Sequence, residues 1–119
     1  MLKFTDVQAY LDAIAAKNGS LDDSPHGAFW QVPYATFISG NVPHVVPKVP
    51  IMNPQAPLES PFFVILANAS GFGSNPQMPE GGPFITDAGY QVTLADGTQL
   101  SGQQIIDNLT DWLNHGFPE

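Results

Sequence analysis

Residues 100–118 read LSGQQIIDNLTDWLNHGFP, and this stretch decides the fold class. Ser101 followed three positions later by Gln104 is a capping-box spacing, which satisfies two of the amide groups that a helix start leaves without partners. Leu100 and Ile105 stand at the two positions of a hydrophobic staple around that start. Ile105, Leu109, Trp112 and Leu113 then recur at helical spacing and define one apolar stripe. Gly116 is placed to stop the helix near His115, and Phe117-Pro118 cannot continue it. A helix with one such face needs other elements to cover it.

Working outward, the same pattern recurs with weaker signals. Residues 5–17 predict a first helix, with Thr5 and Gln8 at capping-box spacing and Val7, Tyr10, Leu11 and Ile14 on one face before Asn18-Gly19. A short helix is expected from Pro33 through Tyr34, Phe37 and Ile38, ended by Gly40. Ser60-Pro61 predicts an N-cap and first position for a third helix over 62–68, although Phe62 to Leu66 also fits a buried strand. Between these, Pro43, Pro47, Pro50, Pro54 and Pro57 exclude a long helix over 41–58. The interspersed Val42, Val45, Val46, Val49, Ile51, Met52 and Leu58 favour an ordered extended segment over a linker. Residues 70–86 read as a glycine- and proline-rich loop anchored by Phe72, Met78 and Phe84. Val92, Leu94, Asp96-Gly97, Thr98 and Leu100 predict a β-hairpin.

With 119 residues, one hydrophobic core and one domain, 1–119, are expected. Hydrophobic residues make up 43% of the chain, but 12 prolines and 11 glycines imply long ordered loops. The fold class is therefore mainly α, a compact helical domain with a small hairpin.

Eleven acidic residues face only Lys3, Lys17 and Lys48, for a formal charge of -8 with neutral histidines. That field repels phosphate backbones and anionic membranes, and no arginine is present for bidentate contacts. A basic protein face or a divalent cation suits that field better than nucleic acid, and a protein partner is the expectation carried forward. No cysteine is present, which excludes disulfides, thiolate nucleophiles, cysteine-bound metals and thioether-linked haem. The start, MLKFTDVQAY, lacks an export pattern and no stretch approaches membrane-spanning length, so a soluble protein is expected, its compartment and oligomeric state left open.

The series Pro57, Ser60-Pro61, a short helix, a glycine-rich loop, Met78-Pro79-Glu80-Gly81-Gly82-Pro83, Leu100-Ser101 and Trp112-Leu113 with Gly116 and Pro118 resembles class I cytochrome c domains. The likeness is to bacterial forms with an MPPGGP-like methionine loop. It spans the chain in organisation and residues 57–118 in motif, with 86–99 as an inserted hairpin. The resemblance implies that His26 and Met78 match the two axial haem ligands. Asp22 and Pro25 stand where the family has its attachment cysteines, so covalent attachment is chemically impossible.

The favoured expectation is a haem-free, non-catalytic binding or assembly module acting through protein–protein contact, without cofactor. In it His26 is a hydrogen-bonded turn residue and Met78 fills a core gap. A noncovalent haem electron carrier using His26 and Met78 is the alternative. A third class is a small metal-dependent enzyme assembled at long range from His26, His44, Glu80 or His115. No metal ligand set is assigned, because the three histidines have no diagnostic spacing. His115 reads as a helix C-terminal residue interacting with the dipole. Asp22-Asp23 reads as a solvated turn, Glu80 and Asp87 as surface carboxylates, and Ser24 beside His26 lacks a nucleophile-elbow motif. Gly71, Gly73, Gly81 and Gly82 read as turn positions, since the lysine and hydroxyl of a phosphate loop are missing.

Overall fold

The computed structural model describes residues 2–18, 29–42, 48–72, 77–78 and 82–119. Among them the order is α1 (Phe4–Asn18), α2 (Tyr34–Ser39), a 3-10 turn (Pro57–Glu59), α3 (Pro61–Ala67), β1 (Gln91–Thr93), β2 (Gln99–Ser101) and α4 (Gly102–Asn114). Helix dominates the regular structure, as the apolar periodicity requires.

α4 is built as its sequence specifies. The Ser101 side chain accepts from the Gln104 amide while the Gln104 side chain accepts from the Ser101 amide, completing the capping box. Ile105, Leu109, Trp112 and Leu113 are at most 1% exposed, and burying each such side chain contributes roughly 1.5–3 kcal/mol. At the other end the Phe117 amide donates to the Trp112 carbonyl with Gly116 at a φ of 85°, the geometry of a Schellman cap. The Phe117 ring meets the Trp112 ring edge-on at 6.2 Å, supplying the apolar contact that accompanies such caps.

α1 buries Phe4, Val7, Tyr10, Leu11, Ile14 and Ala15. Its start corrects the expectation. Thr5 lies inside the helix, and Asp6 reaches back to accept from the Lys3 amide at 2.9 Å, so the Thr5/Gln8 box is not used. Gln8 instead donates to the carbonyls of Trp30 at 2.9 Å and Val32 at 3.4 Å, tying the segment before α2 to α1.

α2 has Pro33 as its N-cap, one position earlier than the favoured first helical site. Gly40 ends it in extended rather than left-handed backbone, at φ -86°. The reason for glycine there is space, because a Cβ would run into the Thr36 carbonyl. The ambiguity between helix and strand at 62–66 resolves to helix, since Pro61 occupies the first turn of α3. The Ser60 hydroxyl caps nothing, however. It is fully buried and accepts from the Asn53 amide at 2.9 Å, a demand made by the neighbouring loop that local sequence does not express.

In the proline-rich stretch, the Val42 amide donates to Val49 at 2.8 Å and the Ile51 amide to Gly40 at 3.1 Å, around an Asn41–Pro50 antiparallel bridge. The described part is ordered and extended, and Ile51 and Met52 are both 2% exposed. Val45 and Val46 lie outside the described residues.

The hairpin is present with Val92 opposite Leu100, both buried. Its turn differs in detail from a two-residue connection. The Gly97 amide donates to Leu94 and the Leu94 amide to Thr98, with Gly97 at φ 91° absorbing the left-handed position. β2 extends to Ser101, so the strand end and the cap of α4 are one residue, one position beyond the extended pattern that ends at Leu100. β1 lies against α1 and β2 against α4, while the 3-10 turn contacts both α3 and α4.

Substitutions at the start of α4 separate local from tertiary effects. Ser101→Ala is expected to cost about 1 kcal/mol through loss of the cap. Gly102→Ala would gain about 1 kcal/mol on helix propensity alone. A Cβ there collides with the Ile85 backbone, so a loss of roughly 1–3 kcal/mol is expected instead. Urea unfolding of both variants measures the two losses, and a gain in Gly102→Ala would show that propensity outweighs the collision.

Candidate functional site

Of the residues that the resemblance nominates, Met78 is described and His26 lies outside the described residues. Met78 is half-buried against the core, and its amide donates to the Ile65 carbonyl in α3 at 2.9 Å. The residue before it explains the placement. Gln77 is 6% exposed, and its amide nitrogen donates to the Leu66 carbonyl at 2.9 Å and to the Thr86 hydroxyl at 2.8 Å. These bonds satisfy a buried carbonyl and clamp the Met78 backbone between α3 and the loop before β1. Sequence inspection missed Gln77 because both partners are distant in the chain and neither belongs to a local motif.

The segment leading back from the His26 region is anchored on α1. Trp30 is buried, and its indole N–H donates to Asp12 Oδ1 at 2.7 Å, an oxygen that also accepts from Gln31 at 2.7 Å. Phe29 packs edge-on against Trp30 at 5.1 Å.

Between the helices, aromatic rings form a continuous chain. Tyr34 meets Phe4 at 5.4 Å, Phe4 meets Phe37 at 5.1 Å, and Phe37 meets Phe62 at 5.2 Å. Phe37, Phe62 and Trp112 are among the largest fully buried side chains. Their polar neighbours are paired, because the Trp112 indole donates to Pro118 O at 2.9 Å and the Tyr34 hydroxyl to Phe117 O at 2.6 Å. Burial, followed by the nearby Glu119 carboxylate, raises the Tyr34 pKa above that of a free phenol.

Tyr90 is the exception. It is 4% exposed, and its hydroxyl has no hydrogen-bond partner among the described residues. The Lys17 ammonium sits 5.3 Å from its ring centroid. Burial, and secondarily the Asp87 carboxylate, pushes the phenol up to about 12.

The remaining candidates separate. His115 caps α4 on the surface, with Nδ1 2.7 Å from the Asp111 carbonyl and 3.2 Å from its carboxylate. It is a helix-end residue, as its position in the sequence predicts. Asp87 accepts from the Phe84 amide at 2.9 Å and serves a turn. Gly71 and Gly82 take φ values of 75° and 69°, which only glycine adopts without strain. Asp22, Asp23, Ser24, His26, His44, Gly73, Glu80 and Gly81 lie outside the described residues, so their convergence is not described. Among the described residues, no three His, Asp or Glu side chains form a group able to hold a metal ion.

One open depression of about 560 Å³ lies between the end of α2 and the 50–55 segment, lined by Ile38, Ser39, Pro50, Met52, Asn53, Pro54 and Gln55. The lining is uncharged and carries no titratable group. Apolar contact and amide hydrogen bonds are available there, but no proton donor or acceptor suited to acid–base chemistry.

No helix among the described residues is long and apolar enough to cross a membrane. Gln77→Leu is expected to cost about 1–3 kcal/mol by leaving the Leu66 carbonyl unpaired, with faster hydrogen exchange at the Met78 amide. Tyr90→Phe removes an unpartnered hydroxyl, and stability should stay level or rise by up to about 1 kcal/mol. The folded phenol keeps its proton to about 12 while the unfolded one releases it near 10. The Tyr90 contribution is therefore intact below pH 10 and lost as pH rises towards 12. Urea midpoints at several pH values across that window should fall more for the parent chain than for Tyr90→Phe. Comparison with protein-family models, curated proteins and solved structures found no match for this chain.

Proposed function

We propose that this chain is a haem-free, cytochrome-c-like binding or assembly module that acts through contact with a protein partner rather than through catalysis. The observation that carries this reading is the occupied interior. Phe4, Phe37 and Phe62 are buried with their rings packed in series, and Trp112 is fully buried on α4, so a planar cofactor among them would have to displace side chains already in place. The cytochrome-like part rests on element order: a first and a last helix with inward apolar faces, a short proline-initiated α3, and Met78 at the edge of the core. α1 and α4 are joined across those faces by the Asn108 amide donating to the Tyr10 hydroxyl at 2.9 Å. The formal charge of -8 favours a basic partner surface and a salt-sensitive association rate.

The second reading, a noncovalent haem electron carrier, is favoured by Met78. The half-buried residue is held at a defined backbone position by its own amide and by Gln77, which suits a fixed ligand as well as a packing residue. Asp22 and Pro25 do not fit covalent attachment, so affinity would come only from coordination by Met78 and His26 and from apolar contact.

Two measurements separate the readings. Purification from the native host under gentle conditions should yield a stoichiometric complex that re-forms from its purified components. Raising salt from about 50 to 500 mM should weaken that complex by roughly tenfold or more. A monomer that forms no such selective complex in the native host overturns the module. Haemin titration followed by absorbance should give no saturable change with the folded chain. Saturable 1:1 binding that is lost in both His26→Ala and Met78→Ala establishes the carrier instead.

A further inference from the structure

We draw no further inference here: the strongest candidate, the open apolar groove between the end of α2 and the 50–55 segment, has an uncharged lining that selects no partner chemistry, and nothing in the structure shows what covers it.

Discussion

Burial of the α4 stripe is the interaction on which the other elements depend. Trp112 sits at its centre with no exposed surface, and both ends of the helix are closed by groups from elsewhere in the chain. At the start, the Gly102 amide donates to the Tyr90 carbonyl, and its missing side chain lets the Ile85 backbone lie against the helix. At the finish, Phe117 folds back over Trp112, and its carbonyl accepts from the hydroxyl of Tyr34, the first residue of α2. Lifting α4 away would therefore uncover β2 and the 3-10 turn together. Such coupling is what makes a small core fold as a unit.

Eight of the 21 buried hydrophobic side chains among the described residues are aromatic, and the polar tips of the Trp and Tyr among them constrain how the core is oriented. Trp30 points its N–H at Asp12, Trp112 at Pro118, and Tyr10 accepts from Asn108. Each bond contributes only about 1 kcal/mol net, yet leaving such a group unpaired inside costs more, so the pairs discriminate against alternative packings. Tyr90 breaks this rule. Its ring lies against Lys17 while its hydroxyl stays unpaired among the described residues. The described interior is committed to self-packing, while Asp6, Glu59, Asp87, Asp96, Asp107, Asp111 and Glu119 are exposed.

The candidate site was legible only in outline. Met78 stands out in the sequence as the single methionine of a proline- and glycine-rich loop, but its anchoring depends on Gln77, Leu66 and Thr86, which share no local signature. His115 could be read directly, because a helix terminus is a local property and the residue's position relative to Gly116 specifies it. Thr5 and Gln8 show the opposite case. Their spacing matches a cap, but Asp6 sits one turn from Lys3 and captures its amide, releasing Gln8 to hold the Trp30 segment.

What the sequence determined by itself was the grammar of helix starts, stops and apolar faces: the capping box of α4, the stripe of α1, proline at the start of α3, glycine in the hairpin turn. These are interactions within a few residues, so their energies are set before any distant contact forms. Tertiary structure alone decided which face of each loop is buried, why Ser60 serves Asn53 rather than its own helix, and why Gly102 must be glycine. Those outcomes depend on groups brought together from far along the chain, and close packing leaves room for only one arrangement of them.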